Sequence, residues 1–202
     1  MAVTIFSLIV LLFSMVIHEI AHGSIANWLG DSTAKDAGRL TLNPLKHLDL
    51  FGSIILPLFL ILTFGRGFGW AKPVPINPYN FRDKKWGILK VSVAGPLMNF
   101  LIAVIFGLLI RFFPLPASVF VLFSIIVIYN FLWGIFNLIP VPPLDGSWIL
   151  FFFLPEKWRK AKVFLQQYGM VILIIFIFFG FNWVAKGAEI LYYLVIGQPP
   201  GS

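Results

Sequence analysis

The chain has 202 residues, of which 59% are hydrophobic and 11% charged, and its mean hydropathy is +0.94. Soluble domains carry about 25% charged residues, so this composition excludes an ordinary soluble domain and points to a bilayer. The formal charge of +7 does not imply nucleic-acid binding, because the basic residues stand in short connections between apolar runs, where they report membrane orientation.

The first apolar run covers about residues 2–29 and stops at Gly30-Asp31. It has no basic start and no small-residue cleavage site, and it continues past His18-Glu19 toward Trp28, so it reads as a retained helix, not a signal peptide. A polar connection over 31–49 leads to an apolar stretch at 50–64 that contains Gly52 and Pro57. A span needs roughly 20 apolar residues, so this stretch reads as re-entrant or buried. The glycines and alternating prolines of 65–78 forbid a helix and favour an extended loop. Apolar helices are then expected at about 88–113 and 117–138, a short one at 146–154, and further helix over 163–196 as one span or two. The expected fold is an all-α polytopic membrane protein. It has a three-helix core, a re-entrant or extended loop and C-terminal helices, forming one domain over 1–198 with its core in 2–154. Residues 199–202 read as a disordered tail.

Charge gives an orientation. If 50–64 does not cross, thirteen basic residues fall on one side of the membrane and Arg111 alone between the next two helices. The positive-inside rule then runs the first helix from outside to cytosol and brings the C-terminal ends of the first and third core helices to the cytosolic face.

His18-Glu19-Ile20-Ala21-His22 fits H-E-x-x-H. Its spacing puts two imidazoles one turn apart on one helix face, about 6 Å along the axis, within reach of one metal ion. Glu19 stands beside them, suited to take a proton from an attacking water. Inside an apolar span such residues are costly unless ligated or paired. With no cysteine in the chain, a metal site must use imidazole and carboxylate, and a catalytic zinc takes a third protein ligand. The acids within the apolar part are Asp49 and Asp145. Asp145 follows a proline-rich stop after the 117–138 helix, and its plain alternative is the N-cap of the short helix that begins at Gly146. His47 with Asp49 forms a second pair, for which an interfacial turn is the simpler account.

These residues resemble the site-2 protease family of intramembrane metalloproteases. The resemblance rests on His18–His22, on Gly95-Pro96-Leu97-Met98-Asn99, and on Asn137-x-x-Pro140-x-x-Pro143-Leu144-Asp145-Gly146, in the family's order over about 145 residues. It implies one zinc ion held by His18, His22 and Asp145, with Glu19 as base, and hydrolysis of transmembrane protein substrates within or beside the bilayer. It also implies that Asn137 contacts the scissile segment or the developing oxyanion. Asn99 is expected to tie helices together. Trp70 and Val74, in the extended loop, are candidates for pairing with an unwound substrate. A prokaryotic cell membrane, with the site toward the cytosol, is the expected location. Two rivals are a metal-carrying transporter and a non-proteolytic zinc scaffold; the first lacks the paired repeats common in transporters, and the second lacks a fourth obvious ligand.

Overall fold

The computed structural model describes residues 1–49 and 71–197, together with Gly52, Ile55, Leu62 and Thr63. The expectations for a re-entrant segment at 50–64, for Trp70 and for the 199–202 tail therefore lie outside the described residues. Within them the helices are α1 (Ala2–Trp28), α2 (Thr33–Asp36), α3 (Gly87–Phe112), α4 (Ala117–Asn137), α5 (Asp145–Phe153), α6 (Arg159–Phe179) and α7 (Phe181–Ile196), and no strand occurs among the described residues. Four helical stretches among these residues are long and apolar enough to cross a membrane: Ala2–Trp28, Gly87–Phe112, Ala117–Asn137 and Glu156–Phe179. The protein is an all-α polytopic membrane protein.

Each helix ends where its sequence removes the means to continue. Beyond α1, Gly30 takes φ +109°, a conformation that L side chains rarely adopt, and the chain turns there. Pro114 and Pro116 follow α3, and Pro140, Pro142 and Pro143 follow α4. Leu154 leaves the helical region just before Pro155. One boundary differs from the sequence expectation, and one open point is decided. Helix α6 begins at Arg159, four residues before the apolar run, because Arg159-Lys160-Ala161-Lys162 are strong helix formers that keep their charges in solvent. The 163–196 stretch is two helices, broken at Gly180.

Helices α1, α3 and α4 pack against one another as the core, α7 covers α3 and α4, and α5 packs on α3. Ala103 and Ile110 of α3, Val127 and Phe131 of α4 and Ala188, Tyr192 and Ile196 of α7 form one buried cluster. Small residues set the spacing: a Cβ at Gly107 would collide with Val195 of α7, so the glycine is what admits the helix there. The Tyr192 hydroxyl, buried by this contact, shares a 2.8 Å hydrogen bond with Ser124 of α4. Exposed apolar side chains such as Leu8, Leu101, Val171, Ile175 and Phe179 supply the outer surface that faces lipid.

Candidate metal centre

His18 and His22 lie on the buried face of α1, 3% and 6% exposed. Opposite them stands Asp145, at the start of α5. Their Nε2 atoms are 3.0 Å apart, and Asp145 Oδ2 lies 3.0 Å from His18 Nε2 and 3.2 Å from His22 Nε2. These three form a group whose possible ligand atoms all lie within 4.8 Å of one another. Asp145 is the first residue of α5, and the residue in the N-cap position is Leu144. The plain N-cap alternative for Asp145 therefore gives way to a carboxylate turned toward the imidazoles.

Hydrogen bonding decides what the two Nε2 atoms offer. Asn99 of α3 donates through Nδ2 to Ser14 O at 3.1 Å and to Asn130 Oδ1 at 3.0 Å. Both of its amide hydrogens are then used, so its Oδ1, 2.7 Å from His18 Nδ1, must accept from that ring. His22 Nδ1 is 2.7 Å from the Val91 carbonyl, which can only accept. Both imidazoles thus carry a proton on Nδ1, and Nε2 is the ring atom each turns toward Asp145. Two ring nitrogens and a carboxylate oxygen converge within 3.2 Å of one another, and Asp145 Oδ2 is buried without a hydrogen bond. A cation among these atoms would satisfy all three, and an N₂O donor set with Nδ1 protons held by oxygen acceptors suits zinc. The residues fit the group.

Helix α3 meets α1 at Gly95, where a Cβ would collide with both imidazole rings. Pro96, next to it, deprives the Ser92 carbonyl of its helical donor and loosens the turn beside Val91. Glu19 stands beside the imidazoles on α1, where its Oε2 accepts from Val74 N–H at 2.8 Å. His18, Glu19, His22, Val74, Asn137 and Asp145 all line one cavity of about 420 Å³, which Trp148 and Pro143 help to close. The Asn137 amide donates to the Trp133 carbonyl, one turn earlier in α4, at 3.0 Å.

Val74 belongs to an irregular strap over 71–77, not to a strand. The strap is pinned along its length. Lys72 N–H donates to His47 O at 2.8 Å, the Arg39 guanidinium donates to Lys72 O at 2.7 Å, and Asn77 N–H donates to Asp31 Oδ2 at 2.7 Å. Asp31, fully buried past the end of α1, also accepts from Thr33 and from Asn80 Nδ2. Burial would push its carboxyl up, but the hydrogen bonds from Thr33, Asn77 and Asn80 outweigh that and hold it below the usual carboxylate range. His47, 1% exposed, donates from Nε2 to Thr41 O at 2.9 Å, and Asp49 accepts from Gly52 N–H at 2.6 Å. Among the described residues neither joins the cluster of His18, His22 and Asp145.

Asn130 and the Val91 carbonyl are the participants that reading the sequence missed. Asn130 had a signal, an amide in the middle of an apolar span. Val91 had none, because its contribution is backbone.

Comparisons with known proteins identify the family. Residues 114–179, from just before α4 to the end of α6, match the family model described as Peptidase family M50. YwhC of Bacillus subtilis (strain 168), named as a zinc metalloprotease, is 39% identical over 176 residues, covering 83% of this chain and 77% of that protein. Rip2 of Mycolicibacterium smegmatis, named likewise, is 34% identical over 168 residues, 81% of this chain and 63% of its own length. MJ0392 of Methanocaldococcus jannaschii, a zinc metalloprotease by name, is 32% identical over 53% of this chain and 33% of its own. No solved structure matches. The chain belongs to peptidase family M50, the site-2 protease family, and is a zinc metalloendopeptidase embedded in a membrane.

Proposed function

We propose that this protein cleaves transmembrane protein substrates within or next to the bilayer, with His18, His22 and Asp145 holding one zinc ion and Glu19 acting as general base. The observation that carries the reading is the convergence of two imidazole Nε2 atoms and one carboxylate oxygen beside Glu19 in a cavity at the end of the helical core. When bound, zinc supplies Lewis acidity for the attacking water and for the scissile carbonyl. Glu19 takes the proton from that water and returns it to the leaving amine. The Val74 N–H fixes one of its oxygens and leaves the other to carry the proton. Asn137, on the cavity wall, contacts the scissile segment, and Val74, its side chain buried against Gly23 of α1, backs the part of the wall where the unwound substrate lies. The strap's N–H groups at Lys72, Val74 and Asn77 and its carbonyls at Lys72 and Pro73 are already used, so backbone pairing with a substrate runs through its remaining groups.

The cytosolic side of a prokaryotic cell membrane is the expected position of the site. The bias of basic residues toward the side that carries the strap supports the orientation, and the bacterial and archaeal relatives support the setting. The test is zinc content and cleavage of a transmembrane model substrate by purified protein. Glu19→Gln should keep zinc and lose about 10²- to 10⁴-fold in turnover, and Asp145→Ala should lose zinc. Full cleavage by Glu19→Gln, or full zinc in Asp145→Ala, would overturn these roles.

A further inference from the structure

A second cavity, of about 460 Å³, lies on the outer side of the strap and is lined by Arg39, Lys46 and Lys72 with Leu45, Pro73 and Pro75 among its apolar walls. No acidic residue lines it among the described residues. Asp36 and Asp49, the acids nearest in sequence, are occupied by the Ser32 hydroxyl and the Gly52 N–H. Arg39 is 7% exposed, has no carboxylate partner among the described residues, and its Nε is buried with no hydrogen-bond partner. A buried guanidinium without a counter-ion is costly. In this cavity it stands with two further cations, and an anion placed there would satisfy all three.

The surroundings indicate which anion. Gly23 of α1 packs against Leu40, Ala34 and Val74, so the segment carrying Arg39 folds back along the last turns of a spanning helix and lies at interface depth. Beside the cations Leu42 is 58% exposed and Leu45 73% exposed. A cationic pocket with an apolar lip, at headgroup level, matches a molecule with an anionic head and hydrocarbon tails. A free phosphate would have no use for the lip.

We propose that Arg39, Lys46 and Lys72 bind the phosphate of an anionic phospholipid, with Leu42 and Leu45 against its acyl chains, and that this lipid steadies the strap. The coupling is short. The guanidinium that would meet the phosphate also holds the Lys72 carbonyl, and two residues on, Val74 N–H holds Glu19. The effect on catalysis rests on the proposed role of Glu19, whereas the binding does not.

The experiment measures lipid binding and cleavage separately. Delipidated, zinc-loaded protein is titrated with phosphatidylglycerol, with zwitterionic phosphatidylcholine and with inorganic phosphate, and bound lipid is counted by native mass spectrometry. Wild type and Glu19→Gln should both retain phosphatidylglycerol in preference to phosphatidylcholine. Each of the exposed-lysine changes Lys46→Gln and Lys72→Gln should weaken that retention about fivefold with zinc content unchanged. Arg39→Gln should abolish it; should that variant fail to fold, the two lysine variants decide alone. In vesicles of phosphatidylcholine, adding phosphatidylglycerol should raise wild-type cleavage several-fold and leave the double lysine variant unmoved. Equal retention of the two lipids, or undiminished retention by the double lysine variant, would overturn the site. Displacement of the lipid by inorganic phosphate at comparable concentration would reduce it to a pocket for a free anion. Intact binding with no effect on cleavage would sever only the link to Glu19.

Discussion

The Nδ1 atoms of two histidines determine what the whole constellation can do. Fixed to oxygen acceptors, they leave both Nε2 atoms aimed at Asp145. Asn99 does this for His18, and it can do so only because Ser14 and Asn130 consume its two amide hydrogens. Asn99→Ala removes the acceptor and frees the ring to turn. Zinc affinity should fall about 10- to 100-fold, read by competition with a chelator, while helix content by circular dichroism is kept. Unchanged zinc affinity would show that His18 needs no such partner. H-E-x-x-H could be read from sequence because a spacing of four on a helix fixes two side chains to one face. Nothing local predicts that an amide eighty-one positions away completes the arrangement, since only packing of α3 on α1 brings it there.

At the scale of elements, helix α3 approaches α1 at Gly95, with no room for a Cβ. Gly95→Ala should push the helices apart at this level. Zinc should be lost, while the four apolar spans still insert, as checked by metal analysis on membrane-extracted protein. Retention of full zinc would mean that the imidazoles can yield by rotating. The core helices were legible to within about a residue because bilayer thickness sets their length and glycine or proline stops them. The start of α6 was not, because the apolar signal begins after the charged turn that opens the helix. Asp145 was picked out by its place after the prolines. Its position inside the first turn of α5, facing α1, depends on how that turn packs against α3.

Over the whole molecule, the absence of cysteine makes the proposed orientation directly measurable. Single cysteines at Lys35, just past α1, and at Ser118, at the start of α4, should react with membrane-impermeant thiol reagents from opposite sides in oriented vesicles. Reaction at both positions from one side would refute the topology and the cytosolic placement of the site.

The two imidazoles differ in one respect with consequences for sequence drift. His18 leans on a side chain, which a single codon change can delete. His22 leans on the Val91 carbonyl, which every amino acid possesses. Substitutions at 91 therefore vary the apolar surface of α3 without erasing the acceptor, whereas position 99 tolerates only residues that can accept a hydrogen bond at the same reach. In a saturation library selected for proteolysis, position 91 should fill with assorted aliphatics, and position 99 should stay nearly monomorphic.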